Sequence, residues 1–310
     1  MGDLIIEQAL YASRGAGGYE LLARSAGFLG EWLPCAERLC GGFGERPAGV
    51  ACPGCVFAQP FGRGNAAVVQ VADLGPETGR PGALGFRVLV LPRTAYRELM
   101  GDPFVVAERL PPAWAARGQL PALSWPAEPL PRRRVGDVQV VLQRPEGPTL
   151  LGGVQALVDG GRVVFERPGP DPGLIRGLWT LLPTSTRYDL WPASFAFGNA
   201  LGFDALVVPR AAGRTYAGYV SEQQADNYPQ GRYEVNLQIA AEAGDQRELD
   251  VLLARRSRAQ MWRLGFTLLA VAAILAMLAG LLGPPAGKRQ APAPSSKRAG
   301  DKPAVLEKPK

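Results

Sequence analysis

The chain has 310 residues, with 34 Lys and Arg against 28 Asp and Glu, no His, and a formal net charge of +6. All five lysines (Lys288, Lys297, Lys302, Lys308, Lys310) lie near the C-terminus, so residues 1–283 contain neither His nor Lys. This excludes Ser-His-Asp and Cys-His catalysis, a P-loop lysine, Schiff-base chemistry and HExxH zinc sites, and leaves an enzyme only carboxylate or cysteine chemistry.

In chain order, Leu4 to Ala12 and Tyr19 to Ser25 are apolar segments split by Gly15-Ala16-Gly17-Gly18 and predict a hairpin. The glycines begin like a dinucleotide-binding turn. However, Glu20 stands where the third glycine is needed and a strand follows, so a plain turn is expected. A short helix is predicted to end near Cys40. Ala66 to Val71 and Leu84 to Leu91 predict strands around the turn Gly75 to Gly82, Arg93 to Met100 a short helix, and Pro103 to Leu110 an extended or helical piece. The stretch 111–134 holds six prolines, ends in Arg132-Arg133-Arg134, and predicts an inter-domain linker.

Beyond it, Val135 to Leu142 alternates like a strand. Thr149 to Val158 predicts a helix, Arg162 to Glu166 a strand, Gly173 to Leu182 a helix, and Trp191 to Phe197 and Phe203 to Val208 two strands. From Arg232 to Arg258 the composition is helical. The expected fold is therefore α+β (mixed α/β): an N-terminal domain over 1–110, the linker 111–134, a middle domain over 135–230 and a juxtamembrane helix over 231–260, followed by a single transmembrane helix.

That last expectation rests on Leu264 to Leu282, a run without charge or proline whose one polar side chain is Thr267. At ~1.5 Å per residue it spans roughly 28 Å, close to a hydrocarbon core. Trp262 stands at its edge and Gly283-Pro284-Pro285 ends it. The basic residues on the two sides balance: Arg255, Arg256, Arg258 and Arg263 before the run, Lys288, Arg289, Lys297 and Arg298 after it. The N-terminus has no basic region of a signal peptide, so a cytoplasmic body on the inner membrane is expected. Ala272, Ala276 and Gly280 are four apart, a spacing that permits close helix approach or arises by chance in an Ala-rich chain. The tail 284–310, rich in Pro, Ala, Ser and Lys, carries a net +5 and is expected to be disordered; the other residues then sum to +1, so no nucleic-acid surface is expected.

Cys35, Cys40, Cys52 and Cys55 are the only cysteines. The Cys52-Pro53-Gly54-Cys55 turn resembles a zinc knuckle, and four thiolates could close a tetrahedral site; a redox CxxC is a further reading. Cys35 and Cys40 are five apart on a predicted helix and share no face well. Inert thiols, with no metal and no cofactor, are the expectation. Trp179 and Trp191 read as core aromatics. Arg187 reads either as a partner or anion contact or as a structural arginine pairing Asp189 or a carbonyl.

Two stretches resemble a known family. Ile6-Glu7-Gln8-Ala9-Leu10-Tyr11-Ala12, a Gly-rich turn and Tyr19-Glu20-Leu21-Leu22-Ala23-Arg24-Ser25 resemble the N-terminal domain of the bacterial GTPase-associated protein 1 families. Leu178 to Arg187 and then Tyr188 to Phe195 resemble their middle domain. The resemblance implies a non-enzymatic adaptor or effector beside a small GTPase in bacterial signalling or conflict systems. The CPGC pair departs from that family, as does a membrane anchor in place of a larger C-terminal module.

Overall fold

The computed structural model describes residues 4–14, 18–75, 82–126, 130–255 and 258–282, with side chains of the last helix described over 265–278. The hairpin forms as its sequence predicts: β1 (Leu4–Ser13) pairs antiparallel with β2 (Tyr19–Ser25), and the amide of Arg14 donates to the Gly18 carbonyl to close it. Helix α1 (Leu33–Gly42) follows. β3 (Cys55–Phe61), β4 (Asn65–Asp73) and β5 (Leu84–Pro92) continue as an antiparallel meander, with β5 returning against β1.

β4 and β5 are buried almost throughout because both sheet faces are covered. The period of two separates the faces. Val69, Val71, Val88 and Val90 join the main core, whereas Val68, Leu89 and Leu91 pack against Tyr96, Leu99 and Val106. The latter three belong to α2 (Arg93–Glu98), its C-terminal cap, and α3 (Pro103–Arg109).

The linker is not structureless. β6 (Gly118–Leu120) runs parallel to β2, and β7 (Leu123–Trp125) pairs antiparallel with the start of β1, Leu4 opposite Trp125. The predicted strand at Val135–Leu142 is a helix, α4. Its alternating valines suggest a strand, but the buried pair is Val138 and Val141, three apart, and Asp137 accepts the Arg134 amide at 2.9 Å in the first turn.

α5 (Gly147–Val158), β8 (Arg162–Glu166) and α6 (Pro172–Leu181) follow, then the single turn α7 (Thr184–Arg187), β9 (Pro192–Ala193), β10 (Ala205–Val208) and β11 (Tyr219–Ser221). β9, β10, β8 and β11 are all parallel. The predicted strand over Trp191 to Phe197 shrinks to two residues; just beyond it the Ser194 amide donates to the Val56 carbonyl at 2.9 Å and the Ser194 hydroxyl accepts from the Val56 amide at 2.9 Å. Helices α8 (Glu222–Asp226), α9 (Arg232–Ala243) and α10 (Gln246–Leu253) complete this body.

One sheet runs through both predicted domains. β9 pairs with β3 (Ala193 opposite Phe57), so among the described residues eleven strands form a single mixed sheet in the order β11-β8-β10-β9-β3-β4-β5-β1-β2-β6, with β7 on β1. One core carries Phe57, Val69 and Val88 from the first half and Val154, Phe165, Leu178 and Leu237 from the second. Residues Met1–Met261 form one compact unit and Trp262–Lys310 another.

The expected transmembrane helix requires correction. Helix α11 (Arg258–Leu282) forms, but among the described residues no helix is long and apolar enough to cross a membrane. The side chains of Trp262, Leu264 and Leu282, the stop at Gly283-Pro284-Pro285 and the tail 284–310 lie outside the described residues. The expected inner-membrane, single-pass placement with a cytoplasmic body therefore has no support among the described residues.

Candidate functional site

Three places bring together groups able to bind or react. The first lies at the C-terminal end of α6. Leu181-Leu182-Pro183 stops that helix and leaves its last carbonyls without intrahelical donors. Side chains from three segments, two of them distant in sequence, supply them. Arg133 donates to the carbonyl of Thr180 at 2.9 Å, to that of Leu182, and to the Thr184 hydroxyl at 2.7 Å. Arg187 donates to the Trp179 carbonyl, and the Tyr233 hydroxyl donates to that of Leu181. Positive charge at this pole of the helix is favourable.

Arg187 is 2% exposed and pairs with Asp102 at 3.4 Å, not with Asp189. In this structure its guanidinium is held inside the protein beside Asp102. Its Nε has no partner among the described residues. Burial lowers the pKa of Arg187, with Asp102 opposing. Burial, reinforced by the charge of Arg187, brings Arg133 down to about 9.

In front of these arginines opens a cleft of about 570 Å³ bordered by Met100, Arg132, Arg133, Ser185, Tyr188 and Asp250. Met100, with φ of 55°, is the one non-glycine in the left-handed region among the described residues. It ends α2 where a glycine is usual, and Gly101 behind it accepts from the Trp179 indole at 2.9 Å. The carboxylate in the cleft wall, Asp250, lies 3.9 Å from Arg132, whose side chain is 90% exposed. Guanidinium and hydroxyl groups with an already paired carboxylate suit contact with a partner better than proton transfer.

The second place is the cysteine turn. Cys35 and Cys40 sit on α1, whereas Cys52 and Cys55 precede and open β3 with their sulfurs 3.9 Å apart. Among the described residues no three Cys, Asp or Glu side chains come together as a metal site, so the structure does not assemble the four thiols. Burial pushes the Cys40 and Cys55 thiols up. The Cys52 thiol is lowered by its contact with Cys55 and by the charge of Arg46.

The third place was not foreseen. α4 runs beside α9 and the start of α10: Gln139 donates to the Ala241 carbonyl of α9 at 2.7 Å, and the Val135 amide donates to the Gln246 side chain of α10 at 2.8 Å. This register brings residue 140 to the level of the last turns of α9. Val140 and Ile239 are each 58% exposed, Val235 38%, and Val251 on α10 63%. Val235 and Ile239 are four apart on one face of α9, opposite the buried Tyr233, Leu237 and Ala241. A second apolar stripe on residues 232–243 was the available signal.

Trp179 is fully buried and Trp191 nearly so, the latter stacked on Tyr96 at 5.9 Å. Sequence reasoning also missed a buried cation. Arg87, 4% exposed, donates to the side-chain carbonyl of Gln8 at 2.7 and 2.9 Å and to that of Gln70 at 3.2 Å; burial lowers it to about 10. Gln8 belongs to the first stretch that carries the family resemblance.

No family model, no curated protein and no solved structure matches this chain.

Proposed function

We propose that this protein is a non-enzymatic interaction protein that docks a partner protein on the helical layer of α4, α9 and α10. The observation that carries this reading is the exposure of Val140, Val235, Ile239 and Val251 on adjoining helices. Exposed aliphatic side chains on neighbouring helices are candidates for a contact surface. Arg132 stands beside the same α10, where a planar, exposed cation adds the residue type most useful at interfaces. The lack of His and Lys over residues 1–283 supports the non-enzymatic part. The resemblance to GTPase-associated proteins makes a small GTPase the first partner to test.

The test is the full chain bearing Val140→Asp and Ile239→Asp, used to capture partners beside the unsubstituted chain. Both sites are exposed, so stability should change by less than about 0.5 kcal/mol. Partner affinity should fall at least about tenfold, roughly 1.4 kcal/mol. Unchanged capture by the double variant would remove this face from the account. Nucleotide hydrolysis by the purified chain, abolished by one Asp or Glu substitution, would remove the non-enzymatic reading.

A further inference from the structure

We infer that Cys52 and Cys55 are a dithiol–disulfide couple that exchanges with a low-molecular-weight disulfide admitted at the loop 46–51. Four observations converge. The sulfurs are neighbours at 3.9 Å, so closing to the ~2.05 Å of a bond needs a movement of about 2 Å. The Pro53-Gly54 turn between them leaves room: a Cβ on Gly54 would meet nothing nearer than the Val71 carbonyl at 3.9 Å. The loop before Cys52 walls a cleft of about 500 Å³ lined by Arg46, Pro47, Gly49, Val50, Ala51 and Gly82. Finally, Arg46 holds Asp73 at 2.9 Å through Nη2 and the Val50 carbonyl at 2.6 Å through Nε, while its buried Nη1 has no partner among the described residues. Displacement of loop 46–51 would uncover that N–H as a donor for a carboxylate of an anionic disulfide such as oxidised glutathione.

The two cysteines are unequal in position. Cys52 directly follows the cleft wall, whereas Cys55 is fixed in the ladder opposite Val71. Cys52 is therefore the attacking sulfur and Cys55 the resolving one. The Cys52 thiolate attacks one sulfur of RSSR, forming a Cys52–SR mixed disulfide and releasing RS⁻. Cys55 loses its proton to that thiolate or to water and attacks the Cys52 sulfur. The Cys52–Cys55 bond forms and a second RS⁻ leaves. Two thiols are oxidised and one RSSR is reduced to two RSH. Because Cys52 is 0% and Cys55 5% exposed, the exchange proceeds through displacement of loop 46–51.

The experiment equilibrates the full chain in glutathione buffers of graded ratio, quenches with acid, alkylates free thiols and maps the peptides by mass spectrometry. The expected result is a single Cys52–Cys55 disulfide that forms and reverses with the ratio, with Cys35 and Cys40 alkylated throughout. Cys55→Ser should accumulate one glutathione on Cys52, and Arg46→Gln should slow disulfide formation severalfold. A 52–55 pair that stays reduced in fully oxidised glutathione would overturn the inference. So would a disulfide to Cys35 or Cys40, or equal adduct rates on Cys55 in Cys52→Ser and on Cys52 in Cys55→Ser. The mapping of the unsubstituted chain decides the matter even if a variant fails to fold.

Discussion

Asp102 and Arg187, 85 residues apart, meet at 3.4 Å inside the protein and tie the turn before α3 to the end of α7. Asp102 also caps α3, accepting from the amides of Phe104 at 3.1 Å and Val105 at 3.2 Å. Asp102→Asn keeps an acceptor for the cap but leaves a buried guanidinium without its counter-charge, which should cost about 3–5 kcal/mol. Asp102→Ala should cost about 1 kcal/mol more through the lost cap. Asp189→Asn, at the half-exposed pair with Arg93 at 4.0 Å, should cost less than about 1 kcal/mol. Urea unfolding of the three variants checks this; an Asp102→Asn loss as small as that of Asp189→Asn would contradict the buried pairing.

Close helix packing makes a second prediction. A Cβ on Gly152 of α5 would stand 1.9 Å from the Ala225 carbonyl oxygen at α8, and that oxygen belongs to backbone. Gly152→Ala should therefore destabilise by at least about 1–3 kcal/mol. Gly136, near the start of α4, has nothing within 4 Å of its added Cβ. Gly136→Ala should stabilise by about 0.4–1 kcal/mol by restricting the unfolded chain. Thermal unfolding of the pair reads both signs in one experiment.

The buried tyrosines set an alkaline limit. Burial raises the phenols of Tyr11, Tyr96 and Tyr233 above the ordinary value near 10, with Asp102 adding to the effect at Tyr96 and Arg133 and Arg187 opposing it at Tyr233. The unfolded chain releases these protons from about pH 10 upward while the folded chain holds them. Their contribution to stability is fully present below about pH 10 and is lost as pH rises above it. Tyrosinate absorbance should show these three ionising together with unfolding; their titration in a chain that stays folded would contradict the burial argument.

Much of the fold was legible, for local reasons. The β1–β2 hairpin announces itself by glycines between apolar segments, and α6 by its Leu-Pro stop. β6 and β7 were hidden, because three-residue strands draw their pairing from β2 and β1 and leave no period of their own. Val135–Leu142 was misread because valines at 138 and 140 imitate alternation, while the packing uses 138 and 141. The single sheet was hidden too, since a lone pairing of Phe57 with Ala193 joins its halves. At the site level, Cys52-Pro53-Gly54-Cys55 was visible as a pair. The role of Arg187 was visible only as one of two readings, because its partner lies far away in the chain. The exposed Val235 and Ile239 show in the sequence only once the opposite face of α9 is known to be buried.

The account stands most directly on the α4–α9 face, and photo-crosslinking in native cells interrogates it. A photoreactive residue at position 239, and separately at 140, is compared with one at Gln223, on α8 outside this layer. The account predicts one protein crosslinked from both 239 and 140 and not from 223. Equal crosslinking from all three positions, or none from 239 and 140, would contradict it.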